Sequence, residues 1–487
     1  MKGSAPTPTQ TNYRYLRLAD DIENKISQGT YKAGEKLPSI RKLHGHTGYS
    51  ITTVYQAYIE LEKRGSVEPR MKSGFYVRPL LRNILPSPKL KRHRPVPKKV
   101  AINDLATSIV ETMSDFNVLQ LGGAAPAPEL LPHKQLCRQI KFNMNRDLKD
   151  VITSYENPSG ALQLREQIAK RTFGISRKET VDGIIITNGC MEAVNICLRA
   201  VAKPGDTIIV ESPTFFCFLQ LIEDLNMLAL EIPTDPERGI DIKALKQALV
   251  QNDVKACIFI PNFHNPLGYV TSLRKKKQLV ELLGKKNIPI IEDDIYGDLY
   301  FGKTRPGTLK SFDKKGMVLY CSSFSKTLAP GLRIGWTIPG VYKAAVKRLK
   351  LNTSIGSPTL NQYIISQFLK SGSYDRHLRK LRTALKNQVS NTALAIARYF
   401  PKDTKITAPQ GGLTLWVQLN EAVDGLKLYH EAIKRHISIL PGVICSNSKK
   451  YKNFIRICCR YPWNDKIEQG IIRLAKIINE LENKGIK

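Results

Sequence analysis

Five short apolar runs, each closed by a polar motif, constrain this chain more than any other feature. They are Gly183-Ile-Ile-Ile186, Thr207-Ile-Ile-Val210, Ala256-Cys-Ile-Phe-Ile260, Pro289-Ile-Ile291 and Met317-Val-Leu-Tyr320. Each is too short for a core helix and apolar at successive positions, so each reads as a strand covered on both faces. Helical patterns separate them. That order predicts an α/β fold with a mostly parallel sheet flanked by helices. Ligands of such sheets bind beyond the carboxyl ends of the strands, where these polar motifs fall.

The motifs carry complementary chemistry. Asn188-Gly-Cys-Met-Glu192 opens a helix, and backbone amides at a helix start suit a phosphate. Ser212-Pro-Thr-Phe-Phe216 offers an aromatic face, and Asn265, before Pro266, presents an amide. Glu292-Asp-Asp-Ile-Tyr296 supplies a carboxylate and a phenol three residues apart. After the fifth run comes Cys321-Ser-Ser-Phe-Ser-Lys326, with Arg333 seven positions later. A lysine flanked by small hydroxyls and followed by an arginine suits a phosphate-bearing aldehyde: the amine forms a Schiff base while hydroxyls and guanidinium hold the phosphate. Arg456 lies in Phe454-Ile-Arg-Ile-Cys-Cys459, a late apolar strand where an unpaired charge is costly. A ligand carboxylate would pair it. Blander readings stay open: Asp293 as one of three solvated charges, Arg456 with a structural carboxylate, Asn265 as a turn residue.

The 487 residues suggest two or three domains. No apolar run is long enough to span a membrane, and the amino terminus lacks a signal-peptide core, so cytoplasmic residence is expected. The nine cysteines and the histidines show no ligand spacing, so no metal is expected. Net charge is +33, which favours polyanionic partners as well as solubility. Residues 81–100 hold seven Lys or Arg, four prolines and no acid. They exclude a helix or central strand and read as part of a basic, Pro-rich linker spanning 80–105. Phosphate contact and simple solvation both fit that stretch.

Ahead of the linker, residues 10–79 follow a helix-turn-helix pattern. Leu16, Leu18, Ile22 and Ile26 are helically spaced, and Gly29 ends the run. Ser39 caps a second helix carrying Arg41, and Ser50 caps a third beginning with Thr52 and Thr53, where base edges would be met. Val67 to Val77 alternates around Lys72-Ser-Gly74 as a β-hairpin wing, whose Arg70 and Lys72 would reach phosphate. Thr52 as a capping residue and Arg41 as a surface ion-pair member are the structural alternatives.

Leu37-Pro-Ser-Ile-Arg-Lys-Leu43, Ser50-Ile-Thr-Thr-Val-Tyr-Gln-Ala-Tyr58 and Lys72-Ser-Gly-Phe-Tyr-Val77 together resemble the winged-helix head of the GntR family of bacterial regulators. That resemblance implies double-stranded DNA as partner, with Arg41, Ser50, Thr52, Thr53 and Arg70 at its surface. The ordered motifs of the body, residues 106–487, resemble over nearly all of 106–480 the fold-type I pyridoxal-phosphate enzymes, the class I and II aminotransferases, whose fold includes a smaller C-terminal α/β part. Head and body together resemble MocR-type regulators.

The resemblance implies pyridoxal 5'-phosphate bound to Lys326, with Asp293 on the pyridine nitrogen. Tyr296 and Asn265 would serve the phenolic oxygen, and Phe215 would stack on the ring. Ser323, Ser325, Arg333, Gly189 and the amides of Cys190 and Met191 would take the phosphate. Arg456 would receive an effector's carboxylate, and Gly122 and Gly123 would form the substrate-side loop. Tyr155 would reach the phosphate of a neighbouring subunit in a homodimer. The resemblance thus implies a regulator sensing an amino acid, an amine or the cofactor itself. A working aminotransferase with a secondary DNA-binding head is the alternative. Two departures stand out. Cys190 and Met191 replace the usual hydroxyl or small residue and its Gln or Ala neighbour, sparing only backbone donors, and Phe215 lacks the hydroxyl common at its position.

Overall fold

The computed structural model describes residues 13–70, 73–79, 81–89, 94–112, 115, 117–144, 149–172, 180–448 and 450–485. Lys72, Lys91 and Arg92 fall outside the described residues. The chain divides into two compact units, 1–84 and 85–487.

In the first unit three helices enclose one small core. Arg14–Ser27 buries Leu18, Ala19, Ile22 and Ile26, the face that helical spacing predicts. Ile40–Thr47 starts where Ser39 Oγ accepts the Lys42 amide at 3.2 Å. It ends at Gly48, whose φ of 69° lies in the left-handed region. Ile51–Lys63 starts at Ser50, whose Oγ accepts the Thr53 amide at 3.1 Å, and buries Val54, Ala57, Tyr58 and Leu61. Val67–Arg70 and Gly74–Val77 pair antiparallel, Val67 opposite Val77, and close the core as a wing. Replacing Ser50 with alanine leaves the Thr53 amide without its acceptor. It should lower the stability of this unit by about 1 kcal/mol, read as a downward shift of its thermal transition in the full chain.

The second unit is built on a nine-stranded sheet. Its main path runs Lys98–Lys99, Leu228–Asp235, Thr207–Ser212, Val254–Phe259, Ile290–Asp293, Val318–Ser323, Gly335–Ile338 and Ile185–Thr187. All five predicted strands are present and point the same way. Four neighbours pair in parallel, and Gly335–Ile338 inserts antiparallel between Val318–Ser323 and Ile185–Thr187. Strand alternation divides the core. Ile208, Val210, Ile258, Ile291 and Leu319 pack with helix Cys190–Val201, while Ile209, Cys257, Ile290 and Val318 pack with helices Ile242–Gln251 and Leu273–Lys285. Both faces are therefore covered, as continuous apolar runs require.

A second, antiparallel sheet of Lys405–Ile406, Thr414–Gln418, Phe454–Cys458 and Leu440–Pro441 forms the smaller C-terminal part with helices Ser373–Tyr399, Gly425–Lys434 and Asp465–Gly485. Within the stretch expected to be linker, Lys98–Lys99 pairs with Leu228 and Ala229 as an edge strand, and a helix begins at Asn103. No helix among the described residues is long and apolar enough to cross a membrane.

Candidate functional site

Because the five strands share one direction, the motifs that follow them gather at one edge of the sheet. Gly189, at φ 88°, turns the chain from strand Ile185–Thr187 into helix Cys190–Val201. Glu192 accepts the Asn188 amide, and the buried Lys350 amine binds both Glu192 oxygens at 3.0 and 3.1 Å, which locks the turn. Arg333, itself in the left-handed region at φ 52°, donates to Asn188 O at 3.0 Å and to Ser325 Oγ at 3.3 Å. It thereby joins the helix start to the lysine motif. A Cβ on Gly189 would strike the Arg333 guanidinium, so only glycine lets the two meet. The first amides of the helix, at Cys190 and Met191, have no intrahelical acceptor and face an anion's needs. Ser323 Oγ accepts the Ser325 amide at 3.2 Å and shapes the turn.

Asp293 ends its strand buried, its Oδ1 accepting the Ile295 amide at 3.0 Å and lying 3.5 Å from Cys190 Sγ. Burial pushes its carboxyl up to about 6, against the pull of those two donors. Glu292 and Asp294 are buried as well, so the reading of three solvated charges does not hold. Glu292 accepts the amides of Leu309 and Lys310 at 2.7 and 2.8 Å. Asp294 accepts from Asn262 at 2.8 Å, Tyr320 at 2.9 Å and Arg305 at 2.5 Å, and Lys276 backs Asn262 at 2.5 Å. This network anchors the strand end that carries Asp293. Sequence reasoning passed over Asn262, Lys276 and Arg305; strand alternation, which sends residues 292 and 294 opposite to 293, was the one available signal.

Phe215 is half-buried, its ring held edge-on by Phe216 and Phe218 at 5.3 and 5.5 Å. Tyr296 is buried and donates to Ala124 O at 3.2 Å. Arg456, 2% exposed, donates to Asn265 Oδ1 at 2.7 Å and to Gly122 O at 2.6 Å, while its Nε has no partner. No carboxylate pairs with it among the described residues. Gly122 and Gly123 pack so closely that a Cβ would come within 3.0 Å of Ile439 C and 2.9 Å of Arg460 Nη1 respectively. The Lys326 amine makes no hydrogen bond or ion pair with any described residue. Burial, then the nearby Arg456 charge, bring it down to about 8. Tyr155 is 90% exposed and is not brought to this cluster.

These features suit a phosphorylated aromatic aldehyde: the Gly189–Arg333–Ser325 cradle could hold a phosphate, Asp293 a ring nitrogen, the Phe215 face a flat ring, and the Lys326 amine an aldehyde. Asp293 yields a pH prediction for the cofactor-free protein. Its folded carboxyl sits above the unfolded value, so native protein gains stability as pH falls through about 6. Asp293→Asn should therefore be more stable than wild type at pH 7.5, by roughly 2 kcal/mol, with the gap closing towards pH 5. Thermal denaturation of the cofactor-free proteins at the two pH values reads this out.

In the head, Arg41 is exposed without an ion pair among the described residues. Thr52 and Thr53 hydroxyls lie 2.9 and 2.8 Å from Ser50 Oγ, the oxygen that caps the helix by accepting the Thr53 amide. Arg70 contacts Glu68 at 3.2 Å and stacks over Tyr76 at 4.1 Å. Among the described residues no group of three or more His, Cys, Asp or Glu could hold a metal.

Residues 128–469 match the family Aminotransferase class I and II. The chain belongs to the aminotransferase class I and II family. Its amino-terminal residues 14–77 match the family Bacterial regulatory proteins, gntR family, so this aminotransferase-family chain has the MocR-type arrangement. Similarity to HTH-type transcriptional regulators extends over both parts. YdcR of Escherichia coli is 36% identical over 96% of this chain and 99% of its own length; YjiR of the same organism is 37% identical over 96% and 98%. Among solved aminotransferases, the Pyrococcus horikoshii kynurenine aminotransferase in complex with PMP superposes with a TM-score of 0.71 at 28% identity, over 77% of this chain and 94% of its own. Pyridoxal phosphate is the cofactor of this family, and the residues present fit it.

Proposed function

We propose that the protein is a DNA-binding transcription regulator whose aminotransferase-like domain holds pyridoxal phosphate on Lys326 and responds to a small amino acid or amine. One observation carries the reading. A lysine amine brought down to about 8 and without a hydrogen bond among the described residues lies near a buried arginine that has no carboxylate among them, on the same chain as a helix-turn-helix head. In this reading residues 10–79 are the head and 106–487 the effector domain, and the linker expected over 80–105 is shortened at its end, where Lys98–Lys99 and the helix from Asn103 already belong to the effector domain, in a cytoplasmic homodimer suited to a paired DNA site.

When bound, pyridoxal phosphate supplies an electron sink next to its aldehyde carbon. The chain's own residues do the rest. Asp293 holds a proton at the pyridine nitrogen, helped by its buried network. Arg333, Ser325, Ser323 and the amides of Cys190 and Met191 hold the phosphate at Gly189. Phe215 would cover the ring, and Asn265 and Tyr296 would serve its phenolic oxygen. Arg456 selects ligands with a carboxylate, its Nε being a donor without a partner. Tyr155, which is exposed, would serve the phosphate of a partner subunit. In the head, Arg41, Ser50, Thr52, Thr53, Arg70 and Lys72 approach DNA.

Ligand exchange at Lys326 moves the DNA-bound population only as far as the ligand favours one arrangement over the other. A second reading, a working aminotransferase, is favoured by the complete residue set, since freed Lys326 is also a competent proton carrier. The deciding experiment adds a panel of amino acids and amines to the holoprotein while following its visible spectrum, keto-acid release and DNA affinity. A stable spectral change with altered DNA affinity supports the sensor; sustained keto-acid release supports the enzyme. A change in DNA affinity on cofactor loading alone makes pyridoxal phosphate the effector.

A further inference from the structure

The third helix of the head leaves an apolar pair uncovered. Ile51 is 51% exposed and Tyr55 50% exposed, although the same helix buries Val54, Ala57, Tyr58 and Leu61 to 1% or less. Residues 51 and 55 are one helical turn apart, along the exposed flank of the core face, and exposed Thr52 and Gln56 lie next to them on the outer side. The hydroxyls near this face are engaged at the cap, Thr52 and Thr53 both lying within hydrogen-bond distance of Ser50 Oγ. What the start of the helix offers a partner is therefore mainly hydrocarbon and one amide.

The surroundings identify that partner. Between Glu35 and Glu60 the chain has no acidic residue, while Lys36, Arg41, Lys42, His44 and His46 fall in that interval. Arg41 and Lys42 are exposed, on the helix just before the apolar pair. A protein surface meeting Ile51 and Tyr55 would have to accept this one-signed surround. A DNA major groove matches it, with phosphates at the rim for the cations and thymine C5-methyl groups on its floor.

Resting on the proposed DNA-binding role of the head, we infer that Ile51 and Tyr55 read thymine methyl groups in the major groove, and that Gln56 reads a neighbouring adenine. The half-site is then built around T·A pairs. Arginine or lysine at residues 51 and 55 would instead favour the O6 and N7 acceptors of guanine. A glutamine amide pairs with adenine N6 and N7.

The test uses the full-length holoprotein and a duplex selected from a random-sequence pool. Deoxyuridine then replaces thymidine one position at a time, which removes only the methyl group. Wild type should lose about fourfold in affinity at each methyl it contacts, and nothing elsewhere. Ile51→Ala and Tyr55→Ala should each bind the thymine and uracil duplexes equally at one of those positions. Gln56→Ala should become insensitive to 7-deazaadenine at the adjacent adenine. All three side chains are exposed, so these variants should keep wild-type circular dichroism. A selected duplex bound equally with and without every methyl overturns the inference but leaves the DNA-binding role standing. Variants that keep the wild-type methyl dependence while changing sedimentation mass would assign the pair to a protein interface. Failure to select any duplex overturns the DNA-binding role, and this inference with it.

Discussion

Lys326→Ala protein, supplied with pyridoxal phosphate, should show no visible band from a lysine-linked cofactor and should bind its DNA site within about twofold of wild type. The amine supplies the nitrogen of the Schiff base that gives the visible band, while the head folds around a separate core. Loss of both properties would end the separation of roles between the two units. Wild type adds a pH signature. Burial and the Arg456 charge bring the amine down to about 8, so the neutral nucleophile is more abundant near neutrality than for an exposed lysine. Capture of added cofactor should quicken about tenfold per pH unit from 6 towards 8 and level off above it. A profile still rising steeply at pH 10 would mean that the amine is not held in this environment.

Arg456→Leu should separate stability from recognition. The guanidinium is buried with two hydrogen bonds, an unpartnered Nε and no carboxylate among the described residues. Leucine removes an uncompensated buried charge but leaves Asn265 Oδ1 and Gly122 O without their donor, two effects of opposite sign. The ligand-free variant should therefore melt close to the wild-type temperature. An amino-acid ligand loses its partner, and its affinity should fall by about 2 kcal/mol or more, thirtyfold at least, read from the spectral titration. Amines without a carboxylate should titrate as in wild type. An equal loss for both ligand classes would show that Arg456 shapes the pocket without selecting its ligand.

Much of the site was legible because its parts obey local rules. Ser39 and Ser50 cap helices as their positions predicted, and the five apolar runs are all strands. The motif order then follows from strand direction. The strand Gly335–Ile338 went unread. It is four residues long, begins at a glycine and follows the lysine motif, so no alternation marks it. The strand Leu228–Asp235 was passed over as well, although it pairs in parallel with Thr207–Ser212 along six residues. The uncovered Ile51 and Tyr55 had no signature either, since apolar residues at helical spacing read first as core.

By itself the sequence determined the α/β class, the helix-turn-helix pattern with its caps, and the residue types around Lys326. Those depend on side-chain periodicity and on groups within a few positions of each other. Only the tertiary structure decided which charges are paired. Arg456 meets Asn265 across 191 positions and Gly122 across 334, and Asp294 receives Asn262 across 32. Such contacts are set by the packing of two sheets and their helices, and no local pattern encodes them. The same packing decided that Asp293 is buried, which raises its carboxyl against the pull of Cys190 and the Ile295 amide, and that Lys326 makes no hydrogen bond among the described residues, near an arginine with no carboxylate among them.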